Sequence, residues 1–160
     1  MTMHRVAVTG LGAITPLGIG AERFWDATLA RKVATRRITR FDPSHLDSQV
    51  AAQIDDFDPS NHMDERRVRR TDRFAQLAIA ATQLAFDDAA LRVNGDGEEF
   101  GIYIGSALSG VAYGEEQHDR YQAEGIGAVR PLLATSVFGG ASTCTVAMHF
   151  GLQGPNIANG

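Results

Sequence analysis

Residues 137–150 constrain the fold of this chain more than any other stretch. Val-Phe-Gly-Gly-Ala-Ser-Thr-Cys-Thr-Val-Ala-Met-His-Phe is apolar nearly all round and rich in small residues. A helix of that composition has no polar face to turn to water, so it needs cover on more than one side. Gly151-Leu-Gln-Gly-Pro155 follows at once, a compact turn that stops the helix and opens a β-prone stretch, Asn156-Ile157-Ala158. This is how a chain enters a core strand whose tip presents a reactive residue.

The rest of the chain fits a layered architecture. Arg5-Val-Ala-Val-Thr9 reads as a buried strand. Gly10-Leu-Gly-Ala-Ile-Thr-Pro-Leu-Gly18 is the loop after it, and Gly20 opens a helix with Phe24, Thr28 and Leu29 on one face and Trp25 near its edge. Asp42-Pro43 and Asp58-Pro59 are turn signals, and residues 49–54 have strand character. Thr71 or Asp72 can cap a second helix, whose small-residue face runs through Phe74, Leu77, Ala78, Ala81, Leu84, Ala85 and Ala89. Asn94-Gly-Asp-Gly97 ends it. Phe100–Ile104 is a second buried strand, and 111–128 reads as a polar surface excursion. The order strand–helix–strand–helix–strand predicts an α/β layered fold, one domain over residues 1–160.

Composition removes several function classes. The net charge is −4, which gives no basis for bulk nucleic-acid or membrane-surface binding. No apolar run approaches the ~20 residues of a membrane-crossing helix. Residues 1–5 lack the apolar core and cleavage site of a signal peptide, so a cytoplasmic location is expected. A single cysteine excludes an internal disulfide framework.

Each motif has a bland reading beside a functional one. Thr9-Gly-Leu-Gly12 follows a strand, as a dinucleotide-binding turn does, but Thr15-Pro16 stand where that turn needs glycine and a helix start. Cys144 is the lone thiol, with its nearest histidine, His149, five residues on and off its face, so it reads as a buried packing residue. His4, His45, His62, His118 and His149 show no metal-ligand spacing. Glu65-Arg66-Arg67-Val68-Arg69-Arg70 is either a solvated face or a docking patch for an acidic partner or phosphate.

Four segments together resemble the N-terminal part of the β-ketoacyl-acyl carrier protein synthases, the elongating condensing enzymes of type II fatty acid synthesis. They are Val6–Gly18, Arg69-Arg-Thr-Asp-Arg-Phe74, Ile104-Gly-Ser-Ala-Leu-Ser-Gly110 and Gly151-Leu-Gln-Gly-Pro155, in the family's order and at about its spacing. The resemblance covers almost all of this chain but well under half of the family's usual length. It implies the thiolase-like fold, a duplicated αβαβα sandwich of which this chain is the first half. It implies condensation of a cysteine-bound acyl group with malonyl-acyl carrier protein, with two histidines stabilising the developing negative charge.

The resemblance also sets limits. It places the nucleophilic cysteine about three residues beyond Gly160 and the histidines later still, so these 160 residues alone are expected to be inactive. Cys144 precedes the Gly-Pro turn and is not that cysteine. Arg66, Arg69 and Arg70 match a surface that meets acyl carrier protein, whose recognition helix is acidic. A second basic pair of the family is reduced here to Arg130. Leu108 matches a bulky gate beside the acyl pocket, and Leu133 and Val137 match pocket or dimer-interface positions, each with ordinary core as the alternative. A homodimer or a complementary C-terminal half is the expected partner besides the carrier, and no organic cofactor or metal is implied. A non-catalytic chain-length subunit of a polyketide system, a polyketide ketosynthase subunit and a half that only docks a partner remain open.

Overall fold

A computed structural model describes residues 5–160. Its contacts fall into two units, residues up to Asp58 with Gln83–Ala90, and Pro59–Thr82 with Leu91–Gly160. His4 lies outside the described residues.

In the first unit the loop after Gly12 doubles back as a small hairpin. β1 (Ile14–Thr15) and β2 (Gly18–Ile19) pair antiparallel, Ile14 opposite Ile19. The Thr15 hydroxyl closes the turn, donating to the Gly18 carbonyl at 3.0 Å and accepting from the Leu17 N–H at 3.2 Å. α1 (Ala21–Leu29) follows. β3 (Thr35–Arg37) and β4 (Val50–Ala52) form a second antiparallel pair. Gln53 ties it off through its amide, donating to Thr39 Oγ1 at 3.0 Å and accepting from the Thr39 N–H at 3.3 Å.

One expectation fails in this unit. Residues 5–9 form no strand, and Val6 and Val8 are 92% and 80% exposed. A strand needs a neighbour for its N–H and C=O groups, and no described residue pairs with them. α1 is a helix as expected, but Phe24, Trp25 and Leu29 are exposed and only Ala27 is buried. Local signals suffice for a helix, whereas burial of its apolar face needs an element packed on it.

The second unit holds the main core. α2 (Glu65–Arg70) leads into α3 (Arg73–Asp88), whose residues through Thr82 belong here. Asp72 stands at the α3 start, its carboxylate accepting from the Arg73 N–H at 2.6 Å. β5 (Ile102–Gly105), α4 (Val111–Glu124), α5 (Leu133–Ser136), α6 (Ala141–Phe150) and β6 (Asn156–Asn159) complete the order. β5 and β6 pair in parallel, Ile102 opposite Asn156 and Ile104 opposite Ala158. Parallel neighbours need a long crossover, and the helices supply it. Of these α6 packs on both strands. Met63, Ile79 and Val146 form the buried centre, with Val68, Ile102, Ile104 and Phe150 around it.

The Gly-x-x-Gly-Pro turn explains the strand pairing. Gly151 ends α6 in a left-handed conformation, φ 72°. The Gln153 N–H then donates to the Gly97 carbonyl at 2.7 Å, and the Gly154 N–H to the Phe100 carbonyl at 3.0 Å. The Ile102 N–H donates back to the Pro155 carbonyl at 2.7 Å. A Cβ at Gly154 would lie 2.5 Å from the Phe100 oxygen, so only glycine lets the two backbones meet there.

Several boundaries differ from the sequence reading. The apolar segment is not one helix from Val137. Gly139-Gly140 interrupt it, and α6 begins at Ala141, where glycine's poor helix propensity ends. α6 buries Ala141, Ser142, Thr143 and Val146, but Met148 is 71% exposed and Cys144 is exposed, not buried. Both lie one turn apart on the side away from Val146, which no described element covers. The 111–128 excursion is largely a 14-residue helix, α4. Gln117 buries its side chain there and accepts from the Arg130 N–H at 2.9 Å, tying down the segment after the helix. α3 ends at Asp88, well before Asn94, and its most deeply buried residues are Ala75, Gln76, Ile79 and Ala80, beside the predicted stripe. β5 and β6 form where expected but are covered on one side at most, with Tyr103 69% and Ile157 49% exposed.

Candidate functional site

The basic cluster is a short helix with a fixed orientation. Asp64 caps α2, its Oδ1 accepting from the Arg67 N–H at 2.9 Å. That bond, helped by the Arg67 charge, holds the Asp64 carboxyl below its ordinary range. Val68 points the helix into the core, packing against the Met63–Ile79–Val146 cluster. The arginines therefore stand on the remaining surface. Arg69 pairs with Glu65 at 3.3 Å, both largely exposed. Arg66 and Arg70, one turn apart, make no ion pair among the described residues.

Beside α2 runs a groove of about 530 Å³. Arg66, Arg67 and Arg70 line it together with Thr135 and Ser136 of α5 and Thr145 and Met148 of α6. Asp72 also lines it. Burial raises the Asp72 carboxyl above its ordinary range against the Arg73 N–H bond, and the Glu116 charge adds to the rise. His149, at the end of α6, is held below the usual imidazole range by burial and by the Arg67 charge, with Asp64 opposing. Its Nδ1 is buried with no hydrogen-bond partner among the described residues, and its ring meets Phe150 edge-on at 4.6 Å.

The remaining sequence candidates lie elsewhere. Val137 sits over the start of α4, its Cγ1 3.5 Å from where a Cβ on Gly114 would be. Gly110 lies against the Ser136 carbonyl with no room for a side chain. Leu133 is half-buried, and Leu108, in the loop before α4, is 72% exposed. None of the three lines the arginine groove, and Arg69 does not line it either. The sequence reading missed Arg67 and Asp72 as groove residues, though both lie within or beside the basic cluster. It also missed the buried glutamines Gln76 and Gln117, for which an amphipathic pattern gives no signal. Near the opening motif, the Leu11 N–H is committed to Asp88 Oδ2 at 2.8 Å, so a carboxylate occupies the place where a nucleotide turn would receive phosphate.

The model of the β-ketoacyl synthase N-terminal domain matches residues 3–159. The chain belongs to the β-ketoacyl synthase family. It is 34% identical over 159 residues to 3-oxoacyl-(acyl-carrier-protein) synthase 2 of Coxiella burnetii, covering 99% of this chain and 38% of that protein. It is 41% identical over 166 residues to a Streptomyces halstedii protein provisionally named polyketide β-ketoacyl synthase 1, covering 95% of this chain and 38% of that protein. The ishigamide ketosynthase/chain length factor superposes with a TM-score of 0.85 at 25% identity, covering 95% of this chain and 38% of that one. A type II polyketide ketosynthase in complex with its acyl-carrier protein, AntDE:AntF, superposes with a TM-score of 0.74 at 25% identity, covering 92% and 39%. The fold is thus thiolase-like α/β, in its N-terminal part. The chain spans less than two fifths of the length of the relatives it matches.

Proposed function

We propose that this chain is the N-terminal, carrier-docking part of a 3-oxoacyl-acyl carrier protein synthase. The observation that carries the reading is the family match over residues 3–159. In the proposed reaction an acyl group moves from its carrier thioester to an enzyme cysteine, releasing the carrier thiol. Malonyl-acyl carrier protein then loses CO2, and its carbanion attacks the acyl carbonyl. The cysteine thiolate leaves, and a 3-oxoacyl carrier thioester forms. The nucleophile and the histidine pair lie beyond residue 160. Cys144 is not the nucleophile, since it precedes the Gly-Pro turn and has no imidazole within one helical turn.

The α2 arginines receive the acidic carrier by charge complementarity. The carrier complex among the structural neighbours supports a docking role for this kind of fold. Leu108 is a gate beside the acyl pocket, and Leu133 and Val137 border the pocket or the dimer interface. The protein works in the cytoplasm as a homodimer. The uncovered side of α6 and the open faces of β5 and β6 support a need for further cover. Among the described residues no helix is long and apolar enough to cross a membrane.

A second reading is a non-catalytic chain-length subunit of a polyketide system, favoured by the ketosynthase/chain length factor neighbour. One assay separates them. The full-length protein, given acyl- and malonyl-acyl carrier protein, releases CO2 and forms a 3-oxoacyl carrier under the first reading. Neither product forms under the second unless a partner ketosynthase is added.

A further inference from the structure

We propose that Gln76 is a positioning residue, which holds the arginine helix α2 in its docking geometry before any partner arrives. The proposal rests on α2 being the carrier-docking surface. α2 has only six residues, too few to be stable alone. Arg66 and Arg70 repel each other one turn apart, and the last carbonyls of a helix lack partners within it.

Gln76 answers the second need from the first turn of α3. It is 8% exposed, and its Nε2 donates backward to the carbonyls of Val68, at 3.1 Å, and Thr71, at 2.8 Å. Both amide hydrogens of one buried side chain are thus spent on the C-terminal backbone of α2. The Thr71 hydroxyl adds a third bond, to the Arg67 carbonyl at 2.7 Å. With Asp64 capping the other end and Val68 in the core, the helix is held at both ends and along its inner face. Arg66 and Arg70 then project from an ordered backbone, and binding avoids the entropy of ordering it.

Gln76 carries no charge, so its loss weakens docking without changing the number of ions displaced. In the full-length protein, Gln76→Met raises amide exchange across residues 66–71 about tenfold relative to α6, as two lost hydrogen bonds imply. The Kd for purified acyl carrier protein rises about fivefold through the added ordering cost, with an unchanged salt slope. Gln76→Glu supplies the second arm should the methionine variant misfold. A protonated glutamic acid donates one hydrogen bond to the α2 carbonyls, and the carboxylate donates none. Taken relative to wild type at each pH, so that the titration of Asp64 and Asp72 at the two ends of α2 cancels, the α2-to-α6 exchange ratio therefore approaches wild type at low pH and departs from it as the introduced carboxyl ionises.

Equal α2 protection in Gln76→Met and wild type, or no such pH step in Gln76→Glu, overturns the proposal. Faster exchange with unaltered carrier affinity also overturns it. Arg66→Glu/Arg70→Glu, measured in parallel, separates that outcome from failure of the docking reading, in which the arginine variant also binds normally.

Discussion

Replacing Arg66 and Arg70 together with glutamate lowers the affinity of the full-length protein for acyl carrier protein about 100- to 1000-fold at low salt. The size follows from charge reversal rather than charge removal. Losing an exposed attraction costs under about 1 kcal/mol per pair, but placing like charges across an interface adds several kcal/mol. A total of about 3–4 kcal/mol corresponds to that range. Neither arginine makes an ion pair among the described residues, so their whole field is available to a partner. At about 0.5 M salt the gap narrows to within tenfold, because exposed charges are screened. Arg69→Glu has a much smaller effect, since Glu65 already pairs with Arg69. Stability changes little. A glutamate near the start of α2 suits the helix dipole and one near its end does not, so the two terms offset. Titration calorimetry at two salt concentrations checks this, and unchanged binding in the double variant removes the docking surface.

Gly154→Val is expected to be strongly destabilising. Its Cβ would sit 2.5 Å from the Phe100 oxygen and 2.7 Å from the Phe100 carbonyl carbon. Both are backbone atoms, so no side chain can swing aside. The turn must open, and the Gly154-to-Phe100 hydrogen bond, with its neighbour from Gln153 to Gly97, is lost. These bonds set β6 beside β5 at the start of the pair. The expected loss is about 3–5 kcal/mol, in the range reserved for overpacking with broken buried hydrogen bonds. Gly127→Ala is the matched control, because a Cβ there meets nothing within 4 Å. Thermal melts of both variants decide it, and equal midpoints contradict this account of the turn.

The same turn shows what was legible in the sequence. Gly151-Leu-Gln-Gly-Pro155 is local chemistry: a left-handed cap, a close approach and a proline, each readable from residue type. The long α3 and the basic α2 were readable for similar reasons, from periodicity and from charge. What failed depended on distant partners. Val6 and Val8 look like core, but a strand exists only beside another strand, and none of the described residues supplies one. Cys144 sits among apolar neighbours in sequence and on the open side of α6 in space. α4 was hidden by its polarity and by Gly114, while the contact that anchors it is made by Gln117, a residue that pattern assigns to water. The site divided the same way. Arg66 and Arg70 stood out by charge, whereas Gln76, which orders their helix, has no signature short of the fold.

The central claim is that this chain docks the carrier while the acyl group is held elsewhere in the protein. Incubating the full-length protein with a labelled acyl carrier protein and mapping the label by peptide mass spectrometry tests it most directly. The account predicts a thioester on a cysteine C-terminal to Gly160, formed equally well in a Cys144→Ala variant. A label on Cys144, or its loss in that variant, contradicts it.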